Sequence, residues 1–473
     1  MRSRASNTVI DKAKFPSGEP DGVTPVPPEE YHRRLRQALK ADATRPVMAM
    51  MEACVECGLC AEACHYYCST GDPGLIPAAK AKALISLFRA HFHPVRSWLS
   101  PGSRSVVSEA ELQRLFDAAF RNCTLCGKCA LACPMGINAG EILALGRNLL
   151  SALGKAPAGL VKPVAEVVRK GNYVGLSSED FVENIEWIAE EMADEFRMGT
   201  LSIPIDKPDA EVLYVPHPLE VRDLPFLLMY ALRILEAADV TYTLSSEHFD
   251  TVNYAYYQGS KANMMRIAGR MIETAQKLGV KQVVLAPCGH GFRVMRWEAE
   301  RYLGQRLPFS VHTITERVAE YIKTGHLKLK PNAIRERVTY HDPCNIARRG
   351  GVIQAPRDVL HALGVDLVEM RPYGVANYCC GGGGGLAATS DFGNVRMAMG
   401  KIKAEQIRWT GAKIVVTACF NCMTQIRSLN QKYDLGIEVK SILELVAYAL
   451  ADQNGMSSED VGKQGSELGS TAH

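Results

Sequence analysis

The sequence predicts an α+β multidomain protein: a helical N-terminal domain with two four-cysteine groups, then an α/β domain built of two pseudo-repeats. Three observations predict it. The spacing Cys-x-x-Cys-x-x-Cys-x-x-x-Cys occurs twice, at Cys54, Cys57, Cys60 and Cys64 and at Cys123, Cys126, Cys129 and Cys133, with helix-like runs between the groups. Beyond residue 205, short apolar runs alternate with longer amphipathic ones, the pattern of parallel strands joined by helices. Within that second region, one half repeats the other.

The chain's 473 residues are enough for two or three domains with full cores. A hydrophobic content of 47% with 22% charged residues is ordinary for a globular protein, and a net charge of +3 gives no argument for nucleic acid as a partner. The fifteen cysteines fall into three groups, with Cys68 and Cys288 apart. That usage suits reduced thiols on metal better than a disulfide scaffold, and hence a cytoplasmic setting. The longest apolar candidate for a membrane span, Leu224–Leu235, is interrupted by Arg233 and is too short. The chain therefore reads as cytoplasmic, either soluble or peripheral on the cytoplasmic face of a membrane.

In chain order, residues 1–30 carry Pro16, Pro20, Pro25, Pro27 and Pro28 without an apolar core, and read as a disordered arm rather than a signal peptide. A basic helix from Glu29 to about Lys40 opens a domain expected over 31–200. Between its cysteine groups lie helices expected at Pro77–Phe92 and Ser108–Phe120, the second with Ser108 as N-cap and Glu111 at N3. Gly58 and Gly127 sit where each cysteine loop must turn tightly. The segment Arg89–Leu99 mixes basic and aromatic side chains, and reads as a solvated helix end or a docking surface. Ala139–Phe196 is helical and amphipathic, a bridge between domains.

The α/β domain is expected over 205–452, with repeats at about 205–330 and 331–452, and a disordered tail over 453–473. Strands are read at Glu211–Val215, Gln282–Ala286, Val338–Tyr340, Leu367–Met370 and Ile414–Thr417. Helices are read at Leu224–Ala237, Asn263–Leu278, Thr315–Thr324 and Asn394–Trp409. The repeat aligns Val252–Gly259 with Ala376–Gly383, and Val280–Cys288 with Ala412–Cys419. In the first half Ala255 and Tyr256 replace a cysteine pair, and Gly291 stands where a second Cys-x-x-Cys thiol would be. Cys288 is the leftover thiol, read as a core residue at a strand end or as a sixth thiol near the site.

The second half holds the chemistry. Cys344 is followed by the adjacent pair Cys379 and Cys380, then Gly381–Gly385, then Cys419 and Cys422. An adjacent pair is poorly placed for ordinary disulfides. Five glycines remove every Cβ beside it, so backbone can lie against something bulky or point N–H groups at anionic sulfur. A metal–sulfur cluster fits both features, with zinc as the alternative.

This pattern resembles the CCG domain of heterodisulfide reductase B and D subunits. The resemblance implies a noncubane four-iron cluster on Cys344, Cys379, Cys380, Cys419 and Cys422, acting on sulfur–sulfur bonds. The two N-terminal groups resemble the bacterial two-cluster ferredoxin pattern, in which the fourth cysteine of each group serves the other cluster. That assigns Cys54, Cys57, Cys60 and Cys133 to one 4Fe–4S cubane, and Cys123, Cys126, Cys129 and Cys64 to the other. The run His65–Pro73 is similar to the K subunits of membrane complexes associated with dissimilatory sulfite reductase. His65 departs from the common pattern, which has proline after the cysteine. Cys68 reads as a buried core thiol or a redox one.

The resemblance implies an iron–sulfur oxidoreductase. Electrons pass through two cubanes to or from a site with Cys379 and Cys380 at its centre, acting on a small heterodisulfide or a cysteine-bearing carrier protein. His341, at the mouth of the intact half, and His290 and His217, in loops of the degenerate half, are candidate proton donors. Partners implied are other redox subunits, either a membrane quinone-reactive subunit or a flavoprotein. The alternative is an electron-relay subunit of a flavin-dependent hydroxy-acid or glycerol-3-phosphate dehydrogenase. No G-x-G-x-x-G follows a strand, so flavin or nicotinamide chemistry would sit on another chain.

Overall fold

The computed structural model describes residues 9–93, 106–330 and 334–450. The α/β region contains two parallel sheets, of order β2-β1-β3-β4 and β5-β6-β7. The strands are β1 Val212–Val215, β2 Tyr242–Thr243, β3 Gln282–Leu285, β4 Ser310–Thr313, β5 Val338–His341, β6 Ile414–Thr417 and β7 Glu438–Ser441. A single bridge from Leu367 to Val338 stands in the second sheet where β2 stands in the first. The two halves thus match strand for strand, β1 to β5, β3 to β6 and β4 to β7.

Helix packing obeys the same symmetry. Pro225–Ala237 of the first half packs on Ile442–Ala449 of the second, and Ile314–Lys323 packs on Gln354–Ala362. Each half therefore lends its first crossover helix to the other's last helix. The equivalent helix starts are capped alike. Thr313 Oγ1 accepts from Glu316 N at 3.2 Å and Ser441 Oγ from Leu443 N at 3.3 Å.

Side chains alternate between the two faces of each sheet, as a period of two requires. Val212, Tyr214, Val284, Tyr340, Ile414 and Val416 fill one core. Leu213, Val215, Val283, Leu285 and Val415 fill another, which also contains Cys344, Cys379, Cys380, Cys419 and Cys422. Continuous apolar strands of this kind are what a sheet covered on both faces needs. Cys344 follows the C-terminal end of β5, and Cys419 and Cys422 follow that of β6, Cys422 in the first turn of the Phe420–Tyr433 helix, while Cys379 and Cys380 sit in a loop between; strand C-termini are the usual position for a site on an open parallel sheet.

Several expectations are corrected here. Strands β2, β4 and β7 were not expected. The latter two run Ser-Val-His-Thr and Glu-Val-Lys-Ser at the sheet edges, too polar to stand out from loop sequence. Leu367–Met370 contributes one bridge rather than a strand. Asn394–Trp409 is broken at Gly400 into Gly393–Met399 and Lys401–Thr410.

The boundary near residue 200 also moves. The core around the cysteine loops takes residues from Tyr31 to Leu160 and is joined by Tyr257, Leu386, Phe392 and Met399 of the α/β region. Val164, Val167 and Val168, and then Phe181, Ile185 and Ile188, pack into the two α/β cores instead. Periodicity shows that a helix has an apolar face but not what covers it.

Residues 9–30 were expected to be disordered and are packed. Ile10 is buried, the Phe15 ring lies on Gly269, and Val26 N donates to Leu153 O at 3.0 Å. This proline-rich strap ties the Lys261–Lys277 helix to the Ala139–Ala152 helix through its few apolar residues, which composition averages away. Residues 1–8 and 453–473, and the 94–99 part of Arg89–Leu99, lie outside the described residues.

Candidate functional site

Each N-terminal cysteine loop is built on the same backbone turn. Glu56 and Gly58 have φ of 56° and 81°, and Leu125 and Gly127 have 54° and 75°. Two left-handed residues one apart wrap the chain around the space between its thiols. The glycines were foreseen from the sequence. Glu56 and Leu125, ordinary residues forced into that region, were not. One cavity is lined by Cys54, Cys57, Cys60 and Cys133, and also by Cys129. The other is lined by Cys64, Cys123, Cys126 and Cys129. Cys57 is exposed, whereas Cys64 is buried.

The five C-terminal cysteines converge. All are 9% exposed or less, and Cys380 Sγ lies 3.5 Å from Cys422 Sγ. Cys379 touches both Cys344 and Cys380, and Cys419 touches Cys422. Hydrogen bonds from Cys379 and Cys422 pull the Cys380 thiol well below its ordinary pKa, and the same contacts push those two partners up. Cys419 is lowered by Cys422 and by the backbone N–H of Gly289, which comes from the degenerate half. Phe420 N likewise donates to Pro287 O at 2.7 Å, so the equivalent loops of the two halves pair across the pseudo-axis.

His341 belongs to β5 itself and is fully buried, not at a mouth. One of its ring nitrogens, Cys380 Sγ and Cys422 Sγ all lie within 4.8 Å of one another. Its Nε2 has no hydrogen-bond partner, while Nδ1 faces Asn377 Nδ2 at 3.5 Å. Asn377 in turn donates to Asp342 O at 2.6 Å and accepts from the buried Lys403 at 2.7 Å. Asp342, two residues before Cys344, is held bidentate by Arg357 at 2.9 Å to each oxygen. Asn377, Lys403 and Arg357 were not singled out from the sequence. They sit on separate elements, and only folding brings them to the thiols.

His290 and His217 are also buried rather than exposed in loops. Burial lowers them to about 4 and about 3, so both are neutral near pH 7. His290 Nδ1 lies 2.9 Å from Asn421 Nδ2, between Cys419 and Cys422. The degenerate half is filled rather than open. Tyr257 is fully buried and its hydroxyl accepts from Asn345 Nδ2 at 2.7 Å, beside Cys344. A Cβ on Gly291 would come 1.6 Å from Thr251 O, so backbone occupies the place of the missing thiol. Cys288 is buried beside Cys419. Cys68, expected in a core, is half-buried at the domain junction, donating to Glu62 O at 3.2 Å and lying 3.7 Å from the Tyr378 hydroxyl.

The glycine run meets the second cysteine loop. A Cβ on Gly384 (φ 67°) would stand 2.7 Å from Thr124 Cα and O, and the Cys126 and Cys379 thiols are near enough to shift each other's pKa, Cys126 downward and Cys379 upward. Arg147, fully buried, donates to Ala119 O, Cys123 O, Tyr257 O and Gly384 O at 2.7–2.9 Å. Arg348 reaches Cys126 O at 2.9 Å and also binds Asn377 O. The three thiol groups therefore form a line. The Cys54–Cys133 cavity, with Cys57 exposed, shares Cys129 with the Cys64–Cys129 cavity, where Cys64 is buried, and the five-thiol site is in contact with the latter.

Comparison with known proteins agrees with this layout. Residues 338–427 match the family described as "Cysteine-rich domain" and residues 50–137 match "4Fe-4S dicluster domain". The chain is 30% identical over 406 residues to the D subunit of the dihydromethanophenazine:CoB--CoM heterodisulfide reductase of Methanosarcina barkeri, covering 85% of this chain and 94% of that one. It is 29% identical over 475 residues to "Hdr-like menaquinol oxidoreductase iron-sulfur subunit 2" of Archaeoglobus fulgidus, covering 89% and 84%. It is 26% identical over 406 residues to "EtfAB:quinone oxidoreductase" of Syntrophomonas wolfei, covering 80% of this chain and 54% of that one.

Proposed function

Because the chain belongs to the family of iron–sulfur proteins that includes the heterodisulfide reductase D subunits, we propose that it is the disulfide-handling subunit of a larger redox complex. In this reading Cys54, Cys57, Cys60 and Cys133 hold one 4Fe–4S cubane, and Cys64, Cys123, Cys126 and Cys129 a second. Cys344, Cys379, Cys380, Cys419 and Cys422 hold a noncubane four-iron cluster. The substrate is a disulfide or its thiols, carried on a small molecule or on a cysteine-bearing protein. The observation that carries the reading is the buried five-thiol constellation in contact with the second cysteine loop.

The donor set fits such a cluster. Five thiols touch in one buried space, flanked by an imidazole Nε2 with no partner. A relay cluster needs four rigid ligands, and a fifth thiol argues for chemistry at the site. A cluster bound there would supply single electrons and a place for a substrate sulfur. The chain's own residues do the rest. The two sheets and their helices exclude water, and the Asp342–Arg357 pair anchors the loop that presents Cys344. By donating to His341 Nδ1, Asn377 leaves the proton on Nε2, which has no other hydrogen-bond partner, on a ring that lies beside Cys380 and Cys422. His341 then acts as a neutral N–H donor to sulfur, since burial holds its pKa below the ordinary value.

Partners in this reading are a membrane quinone-reactive subunit or a flavoprotein, with the chain on the cytoplasmic face. Among the described residues, no helix is long and apolar enough to cross a membrane. The likeness to a quinone oxidoreductase named for EtfAB favours a second reading, an electron relay between a flavoprotein and quinone. Anaerobic protein with about twelve irons decides between them by electron paramagnetic resonance under oxidising conditions. A thiol-dependent signal that Cys379→Ser abolishes while the cubane signals persist supports the disulfide reading. Cubane signals alone, indifferent to every thiol and carrier tried, support the relay.

A further inference from the structure

The two N-terminal cavities have unlike surroundings. Lys80, on the Pro77–His91 helix, is 4% exposed and lines the cavity of Cys64, Cys123, Cys126 and Cys129. Its ammonium donates to Cys64 Sγ at 3.2 Å and Asn122 O at 2.9 Å, over the Tyr66 ring at 4.7 Å. Arg147 and Arg348 bring two more cations to Cys123 O and Cys126 O. Among the described residues, no carboxylate pairs with any of the three. The other cavity has no lysine or arginine in its lining, and Glu56, which does line it, pairs with the exposed Lys82 at 2.8 Å.

Adding one electron to a cubane adds one negative charge. Burial makes that harder, because water no longer solvates the reduced state. A buried cation and a hydrogen bond to a ligand sulfur make it easier, and in a low dielectric their effect is large. Lys82 acts through water against its own carboxylate partner and offers little.

We propose, on the two-cubane reading above, that Lys80 is a potential-setting residue. Its charge and its hydrogen bond to Cys64 raise the reduction potential of the inner cubane. They offset its burial, so that the step from the outer cubane toward the five-thiol site is not a barrier. Lys80 touches no substrate, and its role is exerted through the ligand sulfur.

The test is an anaerobic redox titration of holo-protein followed by electron paramagnetic resonance, with iron content measured alongside. The inner cubane is the signal less broadened by a water-soluble paramagnetic relaxant, because Cys57 is exposed and Cys64 is not. Lys80→Met keeps the side chain's length and removes the charge. It is expected to lower the inner midpoint by at least tenfold in the reduction equilibrium, 59 mV for one electron, and to leave the outer one in place. Lys80→Arg is expected to restore most of the shift.

Unchanged midpoints at full iron content overturn the proposal, as does an equal shift of both signals. Loss of iron from the inner site in Lys80→Met, with Lys80→Arg intact, overturns it in favour of a structural role. A wild-type protein with fewer than two cubane signals brings down the two-cubane reading itself, which separates that failure from this one.

Discussion

Arg147 offers the sharpest test of how the domains are held. Its guanidinium is fully buried and binds four carbonyls: Ala119 and Cys123 in the helical domain, Tyr257 in the first half and Gly384 in the second. Hydrogen bonds from a charged donor contribute about 1.5–3 kcal/mol each, so the gross contribution is about 6–12 kcal/mol. Against it stands a desolvation cost of several kcal/mol for a buried guanidinium, and burial lowers its pKa to about 10. Arg147→Met returns that cost but strands four carbonyls, for a net loss of about 4 kcal/mol, close to a thousandfold in an equilibrium constant.

Cluster loss makes unfolding irreversible, so the assay is the rate of bleaching of the iron–sulfur absorbance at fixed urea, alongside far-ultraviolet circular dichroism. The Met variant is expected to bleach at least tenfold faster. Arg147→Lys keeps the charge but reaches fewer carbonyls, and is expected to fall between Met and wild type. A Met variant that bleaches within twofold of wild type would refute the four-carbonyl tie as the clamp between domains.

Three further outcomes follow from the same geometry. Gly384→Ala combines a left-handed backbone with a Cβ 2.7 Å from Thr124 backbone, and is expected to cost about 2–4 kcal/mol; faster hydrogen exchange around Thr124 and Gly384 is the measurement. Gly291→Cys is expected to lower the unfolding temperature by several degrees and leave the iron content unchanged, because Thr251 O fills the space that the new Cβ needs. His312 is held at about 4 by burial and by Arg317 and Arg296, below its ordinary 6.5. The unfolded chain therefore takes up the proton first, so stability falls as pH drops from 6.5 toward 4. His312→Gln is expected to flatten that fall in thermal unfolding recorded across the window.

The metal-binding character of the chain was legible because cysteine spacing is local. A Cys-x-x-Cys loop has few ways to aim its thiols, and the cysteines of both N-terminal groups line cavities. The strand–helix alternation was legible where apolar residues dominate a strand, as in β1, β3 and β6, and failed at the edge strands β4 and β7, three of whose four residues are polar. The histidines illustrate the opposite limit. A residue beside a cysteine motif reads as a loop residue, yet His341 is the last residue of strand β5 and wholly out of water.

By itself the sequence showed where cysteines cluster by spacing, that the chain contains a repeated α/β unit, and that only the second copy carries five cysteines. These are matters of spacing and identity, set by covalent neighbours. The tertiary structure alone decided the rest. It brought Thr124 against Gly384, Lys80 against Cys64, Asn377 between Lys403 and His341, and the backbone of the first half into the space of its own lost site. Each contact joins residues far apart in sequence, and their partnership follows from how sheets twist and helices pack rather than from any local preference.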